Sequence, residues 1–273
     1  MQDFTIKRYK ALLSVLREQG YGFQTFAEFL ESPLEKAIVL RHDVDARKEN
    51  SLRFAEIQHG LGIKGSYYFR VVPGSYDEEV IKKIAGMGHE VGYHYETMDT
   101  VSSKFQIPNS KFQGANNEMK FKNEELIDGA YEEFCRNLEK FRKIVPVETI
   151  CMHGSPRSKY DNKDIWKKYD YKKLGLIGEP YYDIDFNKVA YLTDTGRRWN
   201  GDKVSVRDKV VSPFNFNFRS TSDIINNISH LPDKLMFTFH PQRWHDDKVL
   251  WTKELVIQNV KNQVKFLMMK MGR

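Results

Sequence analysis

Short apolar runs that end in ionisable residues, each followed by a helix-like stretch, limit most strongly what this chain can fold into. AIVLRHD at 37–43 is such a run, the pattern of a strand buried on both faces with its C-terminal tip at a surface. HEVGYH at 89–94, residues 148–153 and KLMFTFH at 234–240 repeat it, each ending in a histidine, while GSYYFRVV at 65–72, broken by Pro73-Gly74, and KLGLIG at 173–178 are further short runs without an ionisable tip. Between them the spacing predicts helices over 8–19 (Leu12, Leu13 and Leu16 on one face, stopped by Gly20), 48–59, 124–143 and 219–230. Ser75 with Glu78 reads as a capping box for a helix that Gly86 and Gly88 end. A closing helix over 252–270 puts Val256, Val260, Val264 and Leu267 on one side. Strands alternating with helices imply a parallel sheet, and a chain of this length is compatible with a closed or nearly closed barrel.

No Pro/Gly/Ser linker or internal repeat divides the 273 residues, so one domain over 1–273 is expected. Two long, polar and aromatic stretches, 95–123 and 179–218, interrupt the alternation and read as loops that shape a substrate. With 40% hydrophobic and 13% aromatic residues the chain can bury a sizeable core. The 43 Lys and Arg against 37 Asp and Glu give +6 without any dense basic run, which argues against a nucleic-acid partner. The excess serves solubility or an anionic substrate. Cys135 and Cys151 form no CxxC pair and no disulfide framework, which fits a reducing compartment. The first residues are charged throughout, and no apolar stretch approaches ~18 residues. A cytoplasmic protein without membrane insertion is therefore expected.

Four strand tips carry groups able to bind a metal or move protons: Asp43 with Asp45, then His94, His153 and His240. In a parallel α/β architecture all C-terminal strand ends open on one face, so these residues should meet in one crevice. Asp43 and Asp45, two apart on extended backbone, point the same way. One carboxylate with two or three imidazoles suits Zn²⁺ or another first-row divalent ion and leaves a position for water, which is a hydrolytic rather than a structural site. Asp45 also has an ordinary reading as a helix cap. Arg198 and Trp199 read as an anion-binding and sugar-stacking pair, or as loop packing.

The order IVLRHDVDA, GHEVGYHYE, ICMHGSP and FTFHPQRW resembles the polysaccharide deacetylase superfamily, the NodB-homology proteins of carbohydrate esterase family four. More narrowly it resembles the cytoplasmic branch with an Arg-His-Asp-x-Asp motif, associated with O-antigen and capsule biosynthesis. The resemblance covers roughly residues 37–245. It implies a distorted (β/α) barrel of about seven parallel strands and a divalent metal, usually zinc, held by one Asp and two His. Asp43 falls on the family's general base, His94 on its first histidine ligand and His240 on its general acid. The second metal histidine would stand at Met98, and the adjacent Asp pair is here split by Val44. Asp45 and His153 are therefore taken as the remaining ligands, although Asp43 could bind the metal instead. The family's Arg-x-Pro-Tyr motif is absent unless Gly154-Ser155-Pro156-Arg157 is its remnant. The activity implied is deacetylation of an N-acetylated sugar, nucleotide- or lipid-linked, with Arg197, Arg198 and Arg243 available for phosphate. The alternatives are hydrolysis of another amide or ester, and a catalytically silent barrel that binds a glycan precursor or a partner enzyme.

Overall fold

The computed structural model describes residues 2–104, 116–155, 158–200 and 210–270, without the side chains of 116–122 and 268–270. Among the described residues seven strands form one parallel sheet: β1 Gly22–Gln24, β2 Ala37–Val44, β3 Ser66–Phe69, β4 Glu90–Tyr95, β5 Ile150–Met152, β6 Ala190–Thr193 and β7 Lys234–Phe239. Nine helices accompany them among the described residues: α1 Ile6–Glu18, α2 Phe26–Glu31, α3 Lys48–Gly60, α4 Glu78–Gly86, α5 Thr97–Lys104, α6 Asn116–Arg142, α7 Pro180–Asp183, α8 Thr221–Asn226 and α9 Lys248–Lys270. The central strand β2 pairs with β7 along one edge, from Ala37↔Lys234 to His42↔Phe239. Its other edge is shared, by β1 over the first half and β3 over the second. β4 and β5 extend the sheet beyond β3, and β6 extends it beyond β7.

The sheet curls into a half-barrel because its two faces are filled unequally. Outward residues such as Ile38, Leu40, Tyr67, Tyr93, Ile150 and Phe237 pack under the helices in the large core cluster. The alternate residues Ala37, Val39, Tyr68, Cys151 and Met236 form a smaller inner cluster with Phe26 and Phe186. Gly92 is required by this close inner packing: a Cβ there would lie 2.4 Å from the Tyr68 ring and 2.7 Å from Thr149 O. Between β5 and β6 the described residues give only a single bridge, Thr149↔Gly178, so the barrel is distorted rather than closed.

The expected alternation is present, with several differences of detail. Asp77, not Ser75, caps α4, accepting from Glu79 N and Val80 N. Ser75 instead accepts from Arg70 N and donates to Val44 O, tying two strand ends together. The stretch 173–178 is not a strand, since a 3-10 turn at Tyr171–Leu174 runs into Gly175 at φ +71°. The two long loops hold α5, α7 and β6, while residues 105–115 and 201–209 of them, like Pro156 and Arg157, lie outside the described residues. Finally, α9 turns its polar side inward, burying Glu254, Gln258 and Asn262, and leaves Val256, Val260, Val264 and Leu267 exposed.

Candidate metal centre

Strand parity places Arg41, Asp43, His94, His153 and His240 at the barrel mouth, whereas Asp194 follows Thr193 on the parity of the outward Leu192. Arg41 and Asp43 continue the inward row of Ala37 and Val39 on β2, and Asp45 follows just past its end. His94 on β4 is in register with the inward Cys151 of β5. His153, Asp194 and His240 each stand one residue beyond β5, β6 and β7. Because all seven strands run the same way, these tips converge as the parallel architecture demands.

Asp45 is the centre of the cluster. His94 Nε2 and His153 Nε2 each lie 3.6 Å from Asp45 Oδ1, and His240 Nε2 lies 3.9 Å from Asp45 Oδ2. Asp45 Oδ2 accepts from Gln242 Nε2 at 3.2 Å, whereas the buried Oδ1 has no hydrogen-bond partner among the described residues. His94 uses Nδ1 on the Cys151 carbonyl at 2.9 Å, and His153 Nδ1 faces Glu96 Oε2 at 3.2 Å. The His94 ring is thereby oriented with Nε2 toward Asp45, as a partner behind a metal ligand orients it, while His153 Nδ1 stands beside the Glu96 carboxylate without a well-formed hydrogen bond. Asp43 is engaged differently. Arg41 donates to both of its oxygens, Nε to Oδ1 at 2.8 Å and Nη2 to Oδ2 at 2.6 Å, in a fork buried from solvent.

The electrostatics follow from burial and these contacts. Burial raises Asp43, but Arg41 and then His94 outweigh it and hold the carboxyl below its usual range. Burial raises Asp45 too, and His153, His240 and His94 together hold it far below. Burial pushes His94 down to about 4, against the pull of Asp43. Burial also lowers His153, but Glu96 and Asp45 outweigh it and raise the imidazole. At neutral pH the site thus offers ionised carboxylates beside the neutral imidazole of His94, the protonation state that metal binding requires of those groups.

Asp45 Oδ1 paired with the Nε2 atoms of His94 and His153 matches a divalent cation's ligand spacing on those two pairs. Ligands ~2.1 Å from a tetrahedral ion stand roughly 3.4 Å apart, longer than a hydrogen bond and close to the spacing between Asp45 Oδ1 and the two Nε2 atoms. A second combination, Asp43, His94 and Cys151, offers ligand atoms within 4.8 Å of one another. In that group Arg41 donates to both Asp43 oxygens, each of which keeps a further acceptor site. Among the described residues two buried carboxylate oxygens are without a hydrogen-bond partner, Asp45 Oδ1 and Asp99 Oδ1, and the first faces the two Nε2 atoms. Met98 is 1% exposed in the large core cluster, so its thioether packs under the helices.

Five residues singled out in the sequence, Asp43, Asp45, His94, His153 and His240, meet at the mouth. Trp199 does not join them, and the sugar-stacking reading is corrected. Its ring is 4% exposed, packs against Phe4, Phe237, Phe239 and Trp244, and donates Nε1 to Thr221 Oγ1, leaving no face for a sugar. Arg198 is exposed beside it, and among the described residues no ion pair joins it to the mouth. Arg243 is committed to Asp194, donating Nη1 to its backbone and side-chain oxygens, and Arg197 stands over the Trp251 ring at 4.4 Å.

Sequence reasoning missed Asp194, Glu96 and the role of Arg41. Asp194 Oδ1 lies 2.6 Å from His240 Nδ1, and its Oδ2 accepts from His240 N at 3.0 Å and Trp244 Nε1 at 2.6 Å. Burial raises Asp194, but His240 and Arg243 outweigh it and keep it ionised. The signal was the tip of the short run AYLT, hidden in a polar aromatic stretch.

No protein-family profile matches the chain, and no curated protein matches it. Among solved structures, a family 4 carbohydrate esterase pseudoenzyme from Bacillus anthracis is 15% identical, with a TM-score of 0.38 over 86% of this chain and 63% of that one. This chain therefore spans less than two thirds of that protein's length. A family 4 carbohydrate esterase from Bacillus anthracis is 10% identical, with a TM-score of 0.38 over 97% and 91% of the two chains. The Xyl-CE4 domain of a multidomain xylanase from the hindgut metagenome of Trinervitermes trinervoides is 15% identical, with a TM-score of 0.33 over 88% and 92%.

Proposed function

We propose that this chain is a zinc-dependent hydrolase that deacetylates an N-acetylated sugar, a nucleotide- or lipid-linked precursor of surface polysaccharide. One observation carries the reading: the orphaned, buried Asp45 Oδ1 between the Nε2 atoms of His94 and His153. Those three residues would hold the ion. One carboxylate with two imidazoles favours zinc and leaves coordination open. When bound, a divalent ion supplies Lewis acidity, polarising a carbonyl and making water a better nucleophile.

The remaining steps belong to this chain's own side chains. Asp43, kept ionised by the Arg41 fork, takes the proton of the attacking water. His240 gives a proton from Nε2 to the departing amine, which is too basic to leave unprotonated. Asp194 holds the opposite ring nitrogen and fixes the ring's orientation. The amide C–N bond breaks, and acetate and a free amino sugar result. The sequence motifs favour a sugar substrate in O-antigen or capsule synthesis, and the +6 charge suits an anionic carrier group.

Metal content and acetate release from a panel of N-acetylated nucleotide sugars test this together. The expected result is one divalent ion per chain, with turnover that a chelator removes and zinc restores. Asp43→Asn should retain the ion and lose turnover. No bound ion and no acetate released would overturn the reading in favour of a silent barrel.

A further inference from the structure

The closing helix α9 is mounted against the usual rule. An amphipathic surface helix normally turns its apolar stripe to the core, yet here Glu254, Gln258 and Asn262 are 8%, 7% and 4% exposed. These polar side chains seat the helix on the barrel: Asn262 Nδ2 donates to Gly196 O at 2.8 Å, and Arg197 Nη1 donates to Trp251 O at 2.9 Å. The opposite side presents Val249, Val256, Val260, Val264 and Leu267, which are 75%, 57%, 60%, 48% and 55% exposed. Residues 256, 260 and 264 repeat every four positions, so they form one continuous apolar stripe.

We propose that this stripe docks the protein on an anionic membrane surface. Charge supports that occupant. Lys248, Lys253 and Lys261 are exposed on the helix, while its one acidic residue, Glu254, is turned into the protein. A helix with an apolar side and exposed lysines lies in the plane of the headgroups, and no described helix is long and apolar enough to cross the bilayer. A second copy of the chain is the poorer occupant. A stable dimer buries ~800 Å² per partner from roughly 20–30 residues, whereas α9 exposes seven large apolar side chains, the five of the stripe with Leu250 and Phe266, and antiparallel pairing would bring lysines near lysines. Docking does not depend on the hydrolase reading, because it is measured without turnover.

Co-sedimentation of the full chain with vesicles of phosphatidylcholine, with or without phosphatidylglycerol, tests the proposal. The protein should pellet with the anionic vesicles, roughly tenfold or more above neutral ones, and less at high salt. Val260→Asp with Val264→Asp, and separately Lys253→Glu with Lys261→Glu, should each cut binding at least about fivefold with circular dichroism unchanged. Protein that stays in the supernatant, or variants that bind like the parent, would overturn it. So would a dimer in solution that Val260→Asp splits, which would assign the stripe to a second copy.

Discussion

His42 and His94 project from opposite faces of the same parallel sheet and are almost equally buried, at 0% and 2% exposed. His42, on the outward face, is complete. Its Nδ1 lies 3.1 Å from Ser66 O, its Nε2 lies 2.8 Å from Gln58 Nε2 and 3.1 Å from Tyr9 Oη, and its ring stacks on Tyr67 at 4.1 Å. His94, on the inward face, is anchored through Nδ1 but points Nε2 at two carboxylates too distant for a hydrogen bond, at 3.6 and 3.7 Å. Burial lowers the pKa of both rings, to about 3 and about 4, so neither burial nor titration tells them apart. Satisfaction does. A protein completes the hydrogen bonds of most structural polar groups, and His94 Nε2 is left facing carboxylates instead.

The comparison can be broken by treating the two faces separately. The largest effect belongs to the mouth: Asp194→Asn should lower kcat by about 10²- to 10⁴-fold, since an unoriented His240 loses its worth as an acid. Zinc content should not change, and an undiminished rate of acetate release would remove Asp194 from the site. His42→Ala should do the reverse, destabilising the fold by about 2–4 kcal/mol through lost packing and unsatisfied partners. Denaturant titration reads that loss, and a concurrent loss of zinc would merge the two faces into one site.

A smaller effect appears on acidification of the metal-free protein. His42 titrates at 6.5 when unfolded and about 3 when folded, so the unfolded chain binds the proton first. The stability contributed by the neutral ring is complete above pH 6.5 and falls as pH drops toward 3, by at most ~1.4 kcal/mol per pH unit. His89, lowered by burial to about 4, adds in the same direction. Urea midpoints across this range should flatten in His42→Ala, and an unchanged pH slope would contradict the assignment. The smallest effect is Arg198→Ala, an exposed change expected to alter stability by less than about 0.5 kcal/mol. A several-fold rise in KM for phosphate-linked sugars would give Arg198 back its role at the substrate.

Much of this contrast was legible in the chain itself. Strand tips with ionisable ends are a local pattern, and the parallel architecture converts sequence distance into proximity, which is why Asp45, His94, His153 and His240 could be gathered in advance. Which face a tip occupies was readable only in part. Asp43 and His42 are neighbours, and parity alone separates the mouth from the core. Trp199 misled because an aromatic beside two arginines looks alike whether its ring is free or packed, and only its four aromatic neighbours decide. Asp194 was missed because β6 is four residues long and its flanks resemble loop. The apolar side of α9 was correctly grouped, but periodicity cannot say which side faces the protein.

Metal binding to purified His94→Ala and His42→Ala, set beside the parent chain, bears on all of this most directly. The parent should take up one zinc per chain, His94→Ala should lose it, and His42→Ala should keep it. Equal zinc in all three, or none in the parent, would contradict the claim that the unsatisfied carboxylate of Asp45 marks a metal centre.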